Sequence, residues 1–125
     1  MDTLFDRAGG QAFFDRLVAA FYERVVLDPV LLSMYPDPSV LQTSRRNLAL
    51  FLGQYWGGPT TYSSERGHPR LRMRHAAFEI TAEARDHWLR AMTAAIDEAG
   101  ADLSDADRSD LLAYVDMAAH QLRNR

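Results

Sequence analysis

The sequence predicts an all-α fold, on three observations. Apolar residues recur every three or four positions through four long segments, the period of helices that bury one face. Residues that start or stop helices bound those segments: Gly9-Gly10, Asp28-Pro29, Asp37-Pro38, Gly57-Gly58-Pro59, Thr81, Gly100 and Ser104. No stretch alternates polar and apolar residues as a half-buried strand would, and no internal repeat is visible.

The first long helix follows Gly9-Gly10 and places Phe14, Leu17, Val18, Phe21 and Val25 on one face; Asp28-Pro29 ends it, because proline disfavours helix in the residue before it. A short piece from Val30 to Met34 leads into Tyr35-Pro36. Asp37 then caps a helix with Pro38 at its first position, where the missing N–H costs nothing. That helix carries Leu41, Ser44, Leu48, Phe51, Leu52 and Tyr55. Thr81 opens the third, with Trp88, Met92 and Ile96 stepping by four. Ser104 opens the last, with Leu111, Leu112, Val115, Ala118, Ala119 and Leu122. The stretch from Gly57 to Ile80 stands apart, with at most a short helix near Leu71 to Phe78. Connections this long are commonly functional or disordered. This one is too rich in Tyr, His, Leu, Met and Phe for disorder, and a large apolar cofactor with anionic edges would organise it.

A chain of 125 residues predicts one domain over 1–125, large enough for a real core. Its 47% hydrophobic and 25% charged residues argue against disorder. The absence of cysteine excludes disulfides, thiolate-bound zinc, iron–sulfur clusters and covalent haem attachment through Cys-x-x-Cys-His. A net charge of −3 lacks the basic excess of a nucleic-acid binder. No apolar run reaches the roughly 20 residues of a membrane span, and Met1-Asp2-Thr3-Leu4-Phe5-Asp6 is no secretory signal, so a cytoplasmic location is expected.

Among the four histidines, His68, His87 and His120 read as surface or half-buried imidazoles. His75 differs: one helical turn would put Leu71 and Phe78 on its side. An imidazole framed by apolar side chains suits the proximal side of a haem iron, but the local pattern by itself favours a core or surface histidine. Tyr22, Tyr35 and Trp88 carry polar tips on otherwise apolar surroundings. They could be core residues with satisfied handles, or donors aimed into one pocket. Arg66, Arg70, Arg72 and Arg74 flank His75, with Tyr62 nearby; guanidinium forks suit haem propionates, and a solvated basic loop would look the same.

Taken together these residues resemble the truncated haemoglobins, specifically their second group, over nearly the whole chain. The resemblance rests on Gly9-Gly10, Phe21-Tyr22, Tyr35-Pro36, Phe51-Leu52, Gln54 through Pro59, Tyr62-Ser63, Arg66 through Ala76, Trp88-Leu89 and Met117 through His120; the run from Tyr55 to His75 is the most specific part. It implies a two-over-two helical sandwich with a loop ahead of the proximal histidine, non-covalent haem b and its iron, and His75 as the proximal ligand. It assigns Tyr22, Tyr35 and Trp88 to the distal side. Ser44 matches the position at which vertebrate globins carry a distal histidine. The expected cofactor contacts are Ser44, Leu48, Phe51, Tyr62, Arg66, Leu71, Arg74, Phe78 and Met92. Two departures stand out: Ala77 where relatives often have proline, and Asn47 where an arginine can help hold the propionates.

The function so implied is binding of O2, with CO, NO or peroxide as other ligands, at a five-coordinate iron with slow release, for oxygen transport or retention. The alternative is a haem-based redox enzyme, a nitric oxide dioxygenase or peroxidase-like protein served by an unidentified reductase. A haem-free helical module gripping an anionic partner through its Arg loop is the third reading, and a colourless protein would mark it. A monomer or a homodimer is expected, with no nucleic-acid partner.

Overall fold

The computed structural model describes residues 2–35, 37–70, 75 and 79–124. Among them it contains helices and connections and no strand. The helices are α1 (Leu4–Ala8), α2 (Gln11–Val25), α3 (Pro29–Leu32), α4 (Pro38–Tyr55), α5 (Thr61–Arg66), α6 (Ala82–Ala99) and α7 (Asp105–Leu122). The four long ones fall where apolar periodicity placed them.

Their starts are set by side chains that take up otherwise unpaired N–H groups. Asp37 accepts from the Ser39 amide ahead of Pro38, Thr81 from Ala84 and Ser104 from Asp107. Two short helices escape periodicity. In α1, Thr3 Oγ1 accepts from Asp6 N–H and the Asp6 carboxylate accepts from Thr3 N–H, a reciprocal capping box. The Phe5 amide then donates to Trp56 O at 3.0 Å, pinning α1 to the end of α4. Gly57 makes that junction: its φ is +109°, and a Cβ there would lie 2.6 Å from Thr3 Cβ. The second is α5, inside the Gly57–Ile80 stretch. The short helix expected near Leu71 to Phe78 lies outside the described residues, apart from His75, which is helical.

α2 is the central element. It packs against both α4 and α6, α6 packs against α7, and the two pairs make a two-over-two sandwich. The α2 stripe of Phe14, Leu17, Val18, Phe21 and Val25 is at most 1% exposed, as its spacing requires. Met92 and Ile96 of α6 and Leu111 and Val115 of α7 complete the core. Ser44, Leu48, Trp88, Ala118 and Leu122 lie on the inward stripes of α4, α6 and α7, yet they are only half-buried. All five face a cavity instead of a neighbouring helix.

Candidate functional site

The cavity holds about 290 Å³, near the lower end of the roughly 300–1,000 Å³ of ligand and cofactor sites. Its wall gathers Tyr22, Tyr35, Ser44, Leu48, Phe51, Tyr62, Arg66, His75, Trp88 and Met92, which the sequence had nominated from six separate segments. Leu71, Arg74 and Phe78, nominated with them, lie outside the described residues.

The rings of Tyr22, Tyr35 and Trp88 are held by identifiable contacts. Tyr22 is the residue after Phe21 on α2, and its ring meets Phe21 and Tyr35 edge-on at 5.0 and 5.8 Å. Phe21 also meets Trp88 at 5.8 Å, so one phenylalanine backs both polar aromatics. Tyr35 leaves α3 through a turn in which its amide donates to Leu32 O at 3.0 Å. The hydroxyls of Tyr22 and Tyr35 lie 3.4 Å apart, within hydrogen-bond reach. Burial raises both phenols above the ordinary tyrosine value, Tyr22 strongly. For Tyr22 the neighbouring Tyr35 adds to the shift and Arg45 opposes it; for Tyr35 the bond with Tyr22 works against burial. Both therefore keep their O–H protons.

On the α4–α5 side, Gln54 fixes the geometry. Its Oε1 accepts from the Ser63 amide at 3.0 Å and its Nε2 donates to Ser63 Oγ at 2.7 Å. This sets Tyr62 edge-on to Phe51 at 5.5 Å, and Arg66 lies over the Tyr62 ring at 5.9 Å, a cation–π distance. Arg46, between the cavity residues Ser44 and Asn47 on α4, is turned outward and forms a two-pronged pair with Glu65 at 2.7 and 3.0 Å.

His75 lines the main cavity, and it also lines a smaller one of about 80 Å³ with Leu31, Ile80, Ala84 and Arg85. The two cavities share Phe21, Met34, Tyr35, Trp88 and Leu122. Asn124 ties the chain end to this region: its Oδ1 accepts from Ile80 N–H at 2.8 Å, its amide donates to Ile80 O at 3.0 Å, and its Nδ2 donates to His75 O at 3.4 Å. The other histidines are elsewhere. His87 pairs with Asp28, His120 bonds the Asp116 carbonyl, and His68 accepts from the Arg70 amide.

The donor set fits a haem. Among the described residues no three His, Asp or Glu side chains converge, so a bare ion has no cage there. A single imidazole, apolar walls and a rim with Arg66, Asn47 and Ser44 suit an iron already held by a macrocycle. Several lining residues had not been nominated: Phe21, Met34, Val40, Leu52, Tyr114, Val115, Ala118 and Leu122. Most are apolar and sit on predicted core stripes. Tyr114 does not; its hydroxyl is pushed up to about 12, first by burial and then by Tyr55, against which its ring lies at 4.2 Å.

Comparison with known proteins agrees with this geometry. The bacterial-like globin family profile matches residues 3–124. The group 2 truncated hemoglobin YjbI of Bacillus subtilis is 40% identical over 116 residues, covering 93% of this chain and 85% of that protein. The solved hemoglobin of the thermophilic phototroph Chloroflexus aurantiacus superposes with a TM-score of 0.94 at 46% identity, over 100% of both chains. A structure described as a truncated oxygen-avid haemoglobin from Bacillus subtilis superposes with a TM-score of 0.87 at 38% identity, over 98% of this chain and 100% of its own. Along the described residues no helix is long and apolar enough to cross a membrane. With a two-over-two sandwich, an imidazole-bearing apolar cavity and these likenesses in agreement, the chain belongs to the bacterial-like globins as a group 2 truncated haemoglobin, a binder of haem b and its iron.

Proposed function

We propose that this globin binds O2 tightly and releases it slowly, in retention or slow exchange of the gas, with His75 as the iron's protein ligand. A bound haem would supply an iron able to take a diatomic ligand. The protein's part is to hold that iron through one imidazole and to present hydrogen-bond donors where negative charge gathers on the gas. Leu48, Phe51 and Met92 are assigned to the apolar wall, and Tyr62, Arg66 and Ser44 to the polar margin.

The observation that carries this reading is the 3.4 Å separation of the Tyr22 and Tyr35 hydroxyls. Two phenols bring two protons, and their mutual bond uses one. The second stays available to a ligand, on the hydroxyl that its neighbour has already polarised. Trp88 adds an indole N–H, a group that can only donate. The avidity named for the Bacillus subtilis relative supports the same reading.

A hydrogen bond to a charged group contributes roughly 1.5–3 kcal/mol, and about 1.4 kcal/mol is tenfold in a rate or equilibrium constant. Tyr22→Phe should therefore release O2 about ten- to a hundredfold faster, and Trp88→Phe should also accelerate release. Stopped-flow dissociation of the ferrous oxygenated protein measures both. Unchanged rates in both variants would remove the donor account.

A further inference from the structure

Asp28 and His87 lie outside both cavity walls, yet they join the two elements that carry Tyr35 and Trp88. Asp28 occupies the corner between α2 and α3 and divides its carboxylate between two tasks. Oδ1 accepts from the Val30 and Leu31 amides at 3.0 and 3.4 Å, starting α3. Oδ2 lies 2.7 Å from His87 Nδ1 on α6. Helix α3 has four residues, too few to hold its shape without tertiary contacts. It runs directly into Met34 and Tyr35 on the cavity wall, while His87 is followed directly by Trp88.

Leu31 of α3 and Ala84, Arg85 and Trp88 of α6 share the wall of the smaller cavity between the two helices. The spacing of the two helices is therefore not fixed by close packing along their whole contact. The Asp28–His87 bond, with both side chains about a quarter exposed or less, bridges them at the edge.

We propose that Asp28 and His87 form a positioning pair that sets Tyr35 against Trp88 and makes gas release depend on pH through the protonation of His87. The inference rests on the donor reading of those two aromatics given above. Imidazoles change charge between about pH 5 and 8. A protonated His87 donates Nδ1–H to the carboxylate in a charge-assisted bond; a neutral one donates more weakly, from the same nitrogen. Asp28 stays charged across that range, because first the His87 bond and then the two backbone N–H groups hold its carboxyl below the ordinary value. Glu83, one turn earlier on α6, approaches Nε2 only to 4.0 Å from an exposed position. Among the described residues no acidic side chain of α2 or α7 comes within 4.0 Å of the ring.

Asp28→Asn separates positioning from capping. The asparagine oxygen still caps α3, since Asn is as good a cap as Asp. Its NH2 group can donate to a neutral His87 Nδ1 and cannot accept from a protonated one, so the bond exists only at high pH. The wild-type protein should release O2 about two- to fivefold more slowly near pH 5.5 than near pH 8.5. Asp28→Asn should reverse that slope, and His87→Gln, a donor that does not titrate, should flatten it. Nitrogen-15 NMR of the His87 ring in the CO complex gives a readout apart from release: the neutral ring carries its proton on Nδ1 in the wild type and on Nε2 in Asp28→Asn. A flat wild-type profile, or a wild-type slope kept by either variant, overturns the inference. If Tyr35→Phe and Trp88→Phe both release O2 at the wild-type rate, the donor reading fails and takes the inference with it. If they accelerate release while Asp28→Asn keeps the original slope, only the inference fails.

Discussion

The two ends of α2 are both buried and both aromatic, and they behave in opposite ways. At its start, Phe13 and Phe14 meet edge-on at 5.0 Å, and Phe14 stacks on Phe5 of α1 at 5.9 Å. Neither side chain has a polar atom, and each is at most 1% exposed. Toward its end, Tyr22 is 5% exposed and meets Tyr35 edge-on in a similar way, but through two hydroxyls that face a cavity. A buried hydroxyl without a partner costs roughly 1–3 kcal/mol on protein-derived scales. Tyr22 and Tyr35 meet part of that cost through each other, at 3.4 Å, and both border the cavity. The dry end holds the sandwich together, and the wet end is shaped for an occupant.

The largest expected effect is at the dry end. Phe14→Ala should destabilise the protein by about 3–5 kcal/mol, the range for an aromatic removed from a packed core. Thermal or urea unfolding measures it, and a loss below about 1 kcal/mol would erase the distinction between the two ends. Next comes the wet end. Tyr22→Phe and Tyr35→Phe should each change stability by no more than about 1.5 kcal/mol, the net contribution of one hydrogen bond, while altering O2 release far more. Because the two phenols share a bond, their effects on release should not add. A double-mutant cycle should show a coupling of at least about 0.5 kcal/mol; strict additivity would mean that the hydroxyls act independently.

The smallest effect returns to the dry end, where Arg7 on α1 bonds both oxygens of Asp107 on α7 at 3.0 and 2.9 Å. The Arg7 hydrogen bonds hold the Asp107 carboxyl below its ordinary value, against the pull of burial. A carboxyl lowered in the folded state adds stability above its unfolded value and loses it as pH falls through the folded value. Arg7→Met should therefore lower Tm slightly at pH 7, and the gap to wild type should close in acid. A gap that widens in acid would contradict the pairing.

The same contrast separates what the sequence could disclose from what it could not. The stripes of α2, α4, α6 and α7 were legible because a helix buried along one side must repeat its apolar residues every three or four positions. Helix α5 was not, since Thr61–Arg66 has no such stripe and is held by Gln54 on another helix. Helix α1 is five residues long, and only the Thr3 and Asp6 pair marks it. In the site, Tyr22, Tyr35 and Trp88 could be singled out as polar tips on apolar faces. The roles proposed for them and for His75 rest on a motif resemblance, because local pattern leaves both readings open. Ala118 and Leu122 looked like ordinary core, since periodicity tells which side of a helix faces inward and not whether another helix or a cavity lies there. Asp28 and His87 show the same limit: they are 59 residues apart, and only folding brings them into contact.

His75, as proposed above, supplies the protein's bond to the haem iron. Resonance Raman spectroscopy of the ferrous protein without added ligand reads that bond directly, as the low-frequency iron–imidazole stretch. With His75 as the ligand, the band should be present in the wild type and lost in His75→Ala. An unaltered band in His75→Ala would mean that another group holds the iron, and would contradict that assignment.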